Sequence, residues 1–310
     1  MGAGAAQLVA GEAQGLWLEA GRVVEGLYAG GHLSPWRGSG DEFHDYRPYL
    51  PGDDPQQIDW KLWGRTDRRY VKRHRQRGDL EVMLVVDASA SMGFAGLPGG
   101  RSTVMRLSKL GLAQRLAATV AWLAVRQGDR VGLAVVDRRV HAHLPVGGAW
   151  VHLQRLVATL DTAKPGVGPS DIGQGLRHSH ALARRRGLVV VLSDLLDDRE
   201  AVLSSLARFH HDGFAVAVLQ VLTPDELDLR GRPGRRWHLV DLETRRGVST
   251  AVDEIGDRYR QLMLAHIAAL HAGCSGLGIY HAVARTDEPV PAVLRRWLGR
   301  NRATHHAAHR

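Results

Sequence analysis

Two kinds of hydrophobic pattern divide the chain near residue 80. Residues 80–86, LEVMLVV, form a near-continuous apolar run, which is typical of a strand buried on both faces. Residues 109–126 carry apolar side chains at helical spacing, and Gly128 is placed to cap a helix there. The strand pattern recurs in residues 130–137, 187–194, 214–222 and 278–285.

Helical periodicity lies between these runs. It predicts helices over residues 150–160, 170–186, 199–213 and 254–273. Residues 236–250 indicate a hairpin with its turn near Arg246-Gly247. Strands that alternate with helices at this spacing indicate βαβ units. We therefore predict an α/β fold with a doubly wound, mostly parallel sheet and a C-terminal helix in residues 80–299.

The first 79 residues follow a different pattern. Residues 13–27 predict a short helix, whereas residues 34–74 are rich in Gly, Pro, aromatic and charged residues and have no helical period. Residues 58–63 alternate as a half-buried strand does. We predict that residues 1–79 form a β-rich N-terminal segment packed on the main domain, because its aromatic side chains hold too much apolar area to leave in water. These are Phe43, Tyr46, Tyr49, Trp60 and Trp63.

Composition narrows the class of protein. The chain has 310 residues and 44% hydrophobic content, which is enough for a sizeable core. Its single cysteine, Cys274, excludes an intrachain disulfide and a Cys-based zinc site. No apolar run reaches the ~18 residues of a membrane-spanning helix, and the N-terminus has no signal-peptide pattern. We expect a cytoplasmic protein without a membrane span.

The formal net charge of +9 permits two interpretations. It can indicate nucleic acid or an acidic partner surface, but the scattered arginines favour ordinary surface charge. Residues 65–77 and 295–310 are denser in basic side chains, and we expect residues 300–310 to be a disordered tail. The candidate residues for binding nucleic acid are Arg65, Arg68, Arg69, Lys72, Arg73 and Arg75.

Oxygen-bearing side chains follow the predicted strands. Asp87 ends the first strand of the main domain, with Ser89 and Ser91 at alternate positions after it. Asp194 ends a later strand, and Ser170 lies in the loop before a helix. Ligands of doubly wound sheets bind at the carboxyl ends of strands, near the switch in strand order, so we expect these five side chains to converge. An all-oxygen set suits a hard cation, which predicts Mg²⁺, with Mn²⁺ or Ca²⁺ as alternatives.

Each feature also has a purely structural interpretation. Asp and Ser at a strand end satisfy backbone donors in a turn. Asp53, Asp54 and Asp59 offer a second acidic site, although a turn with an ion pair to a neighbouring arginine is favoured. Trp60 and Trp63 offer stacking surfaces for bases, although packing on the main domain is favoured.

The metal-site residues resemble those of a known family. The segments DASAS, GPSDIG and LSD resemble the three parts of the metal-ion-dependent adhesion site of von Willebrand factor A domains. This resemblance implies that Ser89, Ser91 and Ser170 contact the ion. It also implies that Asp87 and Asp194 act largely through bound water. The family usually has threonine where this chain has Ser170, so the hydroxyl is kept and the methyl group is lost.

A second resemblance covers nearly the whole chain. Residues 40–74 closely resemble the signature of the domain-of-unknown-function 58 family, which precedes an A-type domain. The similarity continues in VDLETRRG at residues 240–247 and through the C-terminal helix and strand. One departure is Arg77, where members usually carry glutamate. The resemblance implies a partner of MoxR-type AAA+ ATPases that acts in the assembly or activation of other proteins.

Three functional hypotheses follow. In the first, Mg²⁺ keeps an open coordination position for an acidic side chain of a protein partner, suspected to be a MoxR-type ATPase. In the second, the metal activates water in a hydrolase, but no residue is marked as the general base. The third is a basic nucleic-acid-binding protein. No phosphate loop, nucleophile elbow or dinucleotide fingerprint is present in the sequence. We therefore favour the metal-dependent protein-interaction module and expect no enzymatic activity.

Overall fold

The structure is a computed structural model that describes residues 13–29, 46–48, 70–72, 80–97, 107–229 and 236–307. The chain divides into two compact units, one of residues 34–80 and one of residues 1–33 with 81–310.

In the smaller unit, the described residues form two short antiparallel strands. These are β1 (Tyr46–Pro48) and β2 (Tyr70–Lys72), with Tyr46 opposite Lys72. The remainder of the predicted β-rich segment, including Trp60 and Trp63, lies outside the described residues. The basic run falls outside them too, except for the backbone of β2.

A six-stranded sheet forms the centre of the larger unit. Its strands are β3 (Glu81–Asp87), β4 (Arg130–Val136), β5 (Val140–Gly147), β6 (Leu188–Ser193), β7 (Ala215–Leu222) and β10 (Tyr280–Arg285). Their order is β10-β7-β6-β3-β4-β5, and every neighbouring pair is parallel except β4 with β5. The predicted α/β fold with a mostly parallel sheet is therefore confirmed.

Burial on both faces explains the continuous apolar strands. Met83 and Val85 of β3 join a core cluster with Ile172 and Leu176, while Leu84 between them is equally buried. All six residues of β6 are buried. Removing a Val or Leu side chain from water stabilises a fold by about 1.5–3 kcal/mol. The edge strand β5 largely alternates between exposed and half-buried residues.

Helices cover both faces of the sheet. One layer contains α1 (Ala13–Ala29), α2 (Lys109–Arg126), α3 (Trp150–Thr162) and α8 (Val290–Ala307). The other contains α4 (Ile172–Leu182), α5 (Arg199–His211) and α7 (Val252–Gly276). A short helix α6 (Pro224–Leu227) and the hairpin of β8 (Arg236–Val240) and β9 (Gly247–Ala251) follow β7. No helix among the described residues is long and apolar enough to cross a membrane.

Aromatic packing joins α1 to the larger unit. The ring centroids of Trp17 and Trp122 are 4.3 Å apart, and those of Trp122 and Trp150 are 5.4 Å apart. The helix predicted over residues 13–27 is thus present and packs against α2 and α3. It belongs to the same unit as the sheet and not to the unit of residues 34–80.

The ends of several elements show how the sequence sets their limits. Gly128 has φ 85°, the left-handed conformation that glycine adopts readily after a helix, as predicted for the end of α2. The side chain of Asp171 caps α4 by accepting from Gln174 N at 2.7 Å. Helix α8 extends through residues 300–307, for which the composition predicts a disordered tail.

The hairpin turn differs from its predicted place. Gly247 already pairs with Val240, so the turn spans residues 241–246 instead of lying at Arg246-Gly247. The turn needs a residue with a positive φ, a conformation that glycine adopts most readily. Here Arg245, with φ 60°, takes that position instead of Gly247.

Candidate metal centre

The sheet order places two carboxylates at one edge. The chain leaves β3 for β4 on one side and later returns to β6 on the other side, so the strand order switches between β3 and β6. Asp87 is the last residue of β3, and Asp194 directly follows β6. Because parallel strands end at the same edge of a sheet, the two residues meet at this switch point, where ligands of such sheets bind.

Asp87 is held by two donors from the protein. It is 1% exposed, its Oδ1 accepts from Ser89 N at 2.8 Å, and its Oδ2 accepts from Ser193 Oγ at 2.5 Å. Burial, followed by the charge of Asp194, raises the pKa of Asp87 to about 7, against the opposing effect of hydrogen bonds from Ser193 and Ser89. Asp87 therefore shapes the loop and supplies negative charge beside Asp194.

Ser89, Ser91 and Asp194 form a continuous row of oxygens. A 3₁₀ turn over Ala90–Gly93 begins directly after Ser89 and brings the two hydroxyls to the same side, with their Oγ atoms 3.1 Å apart. Ser91 Oγ then donates to Asp194 Oδ2 at 2.7 Å. The structure thus brings together four of the five predicted residues. Asp194 lies more than a hundred positions further along the sequence than the other three.

The fifth predicted residue, Ser170, lies in a loop that is bonded to both neighbouring loops. Gly166 N in this loop donates to Ala88 O at 2.7 Å, and Ile172 N donates to Asp197 Oδ2 at 2.9 Å. A Cβ atom at Gly166 would lie 3.2 Å from Ala88 O, so the close approach favours glycine. The hydroxyl of Ser170 itself donates to Glu243 at 2.6 Å.

A buried lysine that the sequence analysis missed sits beside Asp194. Lys109 is 1% exposed, and its Nζ donates to Asp194 Oδ2 at 2.6 Å and to Glu226 Oε1 at 2.5 Å. Burial disfavours the charged amine, but the charges of Asp194 and Glu226 and their hydrogen bonds outweigh it, so the pKa of Lys109 is raised. The one sequence signal is a charged residue on the apolar face of an otherwise amphipathic helix.

The backbone after Asp194 is strained and firmly held. Leu195 is fully buried and has φ 52°, a left-handed conformation that costs a leucine roughly 1–2 kcal/mol. Its N–H donates to Ser193 Oγ at 3.0 Å, and its carbonyl lies 2.9 Å from His266 Nε2. The carbonyl of Asp194 accepts from Gln220 Nε2 at 2.9 Å. These contacts fix the direction in which the Asp194 carboxylate points.

The donor set fits a hard cation. It consists of carboxylate and hydroxyl oxygens, and a cation would relieve the repulsion that contributes to the raised pKa of Asp87. Within the described residues, no group of three or more His, Cys, Asp or Glu side chains has the geometry of a metal site. A metal at this edge therefore depends on the serine hydroxyls together with the two aspartates.

Comparison with known proteins identifies the family. The Asp-x-Ser-x-Ser segment, which resembles part of the von Willebrand factor A metal site, begins at the last residue of β3 in a mostly parallel six-stranded sheet. The chain belongs to the family described as "Protein of unknown function DUF58", whose sequence model matches residues 45–269.

The curated relatives are uncharacterized. The chain is 29% identical over 211 residues to uncharacterized protein Rv1480 of Mycobacterium tuberculosis and to uncharacterized protein Mb1516 of Mycobacterium bovis. The matches cover 66% of this chain and 62% of each relative, so the chain spans about three-fifths of their length.

Three solved structures are similar at low sequence identity. A conserved hypothetical protein, BatB from Bacteroides thetaiotaomicron, is 15% identical with a TM-score of 0.46, over 72% of this chain and 98% of its own. An aerotolerance-related membrane protein from Bacteroides fragilis is 18% identical with a TM-score of 0.46, over 73% and 99%. The SpRpn10 VWA domain is 12% identical with a TM-score of 0.37, over 69% and 93%. The family assignment rests on the sequence match.

Proposed function

We propose that this chain is a metal-dependent protein-interaction module. The observation that carries the proposal is the row of oxygens from Ser89 through Ser91 to Asp194, which loops distant in sequence assemble at the switch point of the sheet. Such an all-oxygen set suits Mg²⁺. Ser89, Ser91 and Ser170 would hold the ion through their hydroxyls, while Asp87 and Asp194 would supply charge.

Charge balance favours recruitment of an external carboxylate. A bound Mg²⁺ would supply a Lewis-acidic centre with an affinity for acidic groups. Lys109 neutralises part of the charge of Asp194, and both oxygens of Asp87 already accept hydrogen bonds from the protein. The chain thus offers few free anionic oxygens, which leaves the site receptive to a glutamate or aspartate of a partner.

The partner we propose is a MoxR-type AAA+ ATPase in the cytoplasm. The support is family membership together with the resemblance of residues 40–74 and 240–247 to the family signature. The proposal assigns no enzymatic activity to the chain, because Asp194 and Glu226 are bound to Lys109 and Asp87 accepts from Ser89 and Ser193. Metal-dependent hydrolysis and nucleic-acid binding are the competing functions.

Calorimetric titration of the full chain with Mg²⁺ and Mn²⁺ tests the metal site. We expect weak binding to the parent and none to Asp87→Ala. A matched control is Asp257→Ala, which removes an exposed carboxylate from α7 and leaves the strand ends intact. If Asp87→Ala and the parent bind the metal with equal affinity, the metal does not bind at the proposed site. Nucleic acid that binds with a steep salt dependence, independent of chelator, would favour the third hypothesis.

A further inference from the structure

A carboxylate from a hairpin distant in sequence accepts two hydrogen bonds from one of the predicted metal-site serines. Ser170 Oγ donates to Glu243 Oε1 at 2.6 Å, and Ser170 N donates to Glu243 Oε2 at 3.2 Å. Glu243 lies 73 residues further along the chain, in the turn between β8 and β9. Both residues are partly buried. The two-point contact is specific, because each oxygen of the carboxylate has its own donor.

The same chemistry occurs at a second predicted metal-site serine. Ser91 Oγ donates its proton to Asp194 Oδ2 at 2.7 Å, as Ser170 Oγ does to Glu243. A hydroxyl that binds a cation does so through an oxygen lone pair, so its proton must point to another acceptor. A carboxylate that takes this proton frees the lone pairs for the cation and makes the oxygen a stronger donor. Ser91 and Ser170 are therefore each paired with a different carboxylate.

We propose that Glu243 is a further residue of the metal site, acting through Ser170, and that metal binding therefore fastens the β8–β9 hairpin to the edge of the sheet. The inference rests on the proposed function, because it needs a metal at the serine hydroxyls. It gives Glu243 a positioning role: it orients the Ser170 oxygen toward the ion. It also makes the hairpin the element whose mobility reports whether the site is filled.

The turn is built to hold Glu243 in place. Asp241 Oδ1 accepts from Glu243 N at 2.9 Å, and Thr244 Oγ1 donates to Asp241 Oδ2. These bonds, from Thr244 first and then Glu243, lower the pKa of Asp241. Arg245 N donates to Asp241 O at 3.0 Å and turns the chain with φ 60°. Asp241 thus organises an otherwise exposed turn and leaves the Glu243 side chain directed at Ser170.

A simpler role for Glu243 would be to brace the loop before α4. In that case its loss would loosen the loop whether or not metal is present, and metal affinity would not depend on its charge. The full chain is therefore titrated with Mn²⁺ by calorimetry, comparing the parent, Glu243→Gln, Ser170→Ala and the double variant. Glu254→Gln, which neutralises an exposed carboxylate near the start of α7, is the matched control.

Glu243→Gln is expected to weaken Mn²⁺ binding about tenfold, the usual loss when a partner of a metal ligand is removed. Glu254→Gln should bind as the parent does. Because Glu243 acts through Ser170, adding Glu243→Gln to Ser170→Ala should cause no further loss. Hydrogen exchange of the amides of residues 241–247 should slow on addition of Mn²⁺ in the parent but not in Glu243→Gln.

The outcomes separate this inference from the function on which it rests. If the parent binds Mn²⁺ and Glu243→Gln binds it equally well, the inference is overturned and the metal site stands. Fully additive losses in the double variant would also overturn it, because Glu243 would not act through Ser170. If the parent does not bind Mn²⁺ at all, both the role of Glu243 and the proposed metal site are wrong. Should Glu243→Gln unfold, Glu243→Asp provides the second test, with affinity expected between those of the parent and Ser170→Ala.

Discussion

Lys109 and Ser91 donate to the same oxygen of Asp194. The ammonium nitrogen lies 2.6 Å from Oδ2 and the hydroxyl oxygen lies 2.7 Å from it. A buried cation of the protein therefore shares a ligand with the site proposed for a metal cation. The lysine pairs with Asp194 and would reduce the charge met by a metal at the proposed site, so it would link the stability of the fold to the strength of metal binding.

The first prediction concerns this lysine. Lys109→Met keeps the apolar stem but leaves the buried carboxylates of Asp194 and Glu226 without their counter-charge. Breaking a buried ion pair in this way costs about 3–5 kcal/mol, so we expect that loss in urea unfolding of the metal-free chain. Mg²⁺ should raise the Tm of this variant more than that of the parent, because the metal replaces the lost positive charge.

Lys164→Met is the matched control for that experiment, since Lys164 is exposed. Its stability should stay within about 0.5 kcal/mol of the parent. If Lys109→Met is as stable as the parent, the ion pairs of Lys109 with Asp194 and Glu226 do not stabilise the fold. An equal response of Lys109→Met and the parent to Mg²⁺ would show that the lysine and the metal do not share Asp194.

The second prediction concerns Asp87 and thermal stability. Mg²⁺ at a hundred times its Kd stabilises a native state by about 2.7 kcal/mol through mass action, and each kcal/mol moves the Tm of a domain this large by roughly 2–4 °C. Asp87→Asn should abolish this shift while preserving the hydrogen bonds to Ser89 N and Ser193 Oγ, because the serine hydroxyl can accept from the new amide. Scanning calorimetry with Mg²⁺ and with chelator measures this shift in Tm. If Asp87→Asn shows the same shift as the parent, Asp87 is not part of a metal site.

The third prediction concerns pH and a buried histidine behind the site. Gln220 donates its amide N–H to Asp194 O, so its Oε1 accepts from His281 Nε2 at 3.1 Å. Burial, followed by the charges of His271 and His266, lowers the pKa of His281 to about 4 from 6.5. Between these values the unfolded chain binds a proton that the native state excludes, so the contribution of His281 to stability falls as pH falls from about 6.5 to about 4. The raised pKa of Asp87 acts in the opposite sense over an overlapping range.

We expect the His281 contribution to fall by about 3 kcal/mol across that window, measured as the difference between the parent and His281→Gln in urea unfolding at a series of pH values with chelator present. His281→Gln retains a donor for Gln220 and removes the titrating group, so its stability should rise relative to that of the parent as pH falls across that window. The exposed His178 provides the control, because His178→Gln should keep the slope of the parent. Parallel profiles for the parent and His281→Gln would refute the assignment.

The sequence predicts the parts of this site that depend on local pattern and sheet geometry. The apolar runs define β3 and β6, and the rule that parallel strands end at one edge brings Asp87 close to Asp194. The Asp-x-Ser-x-Ser spacing predicts two neighbouring hydroxyls, which the 3₁₀ turn provides. These features need no knowledge of side chains from other parts of the chain.

The residues that the sequence analysis missed depend on long-range contacts. Lys109 begins a helix, and its burial depends on partners 85 and 117 residues away. Glu243 has the character of an ordinary polar turn residue, and its bond to Ser170 depends on how the hairpin folds back. A charge on the apolar stripe of a helix is a usable signal for Lys109, whereas no local pattern distinguishes Glu243.

The last prediction concerns recruitment of a partner. If the partner supplies a carboxylate to a bound metal, its affinity must depend on both the metal and the hydroxyls of Ser89 and Ser91. Loss of a desolvated charge contact costs about 2 kcal/mol or more, so chelation should weaken binding of a MoxR-type ATPase at least about thirtyfold. Ser89→Ala with Ser91→Ala should have the same effect without unfolding the chain, because both residues lie in the loop after β3 rather than in its apolar core.

Thr159→Ala with Thr162→Ala is the matched control, since both hydroxyls are exposed on α3 and bond only to carbonyls of their own helix. All affinities are measured at one ionic strength, so that screening of the basic surface stays constant. Chelator should have no additional effect on the double serine variant, because that variant has already lost the metal. ATPase binding that survives both chelation and the serine substitutions would leave a metal at this edge with at most a structural role, and the recruiting mechanism would have to be abandoned.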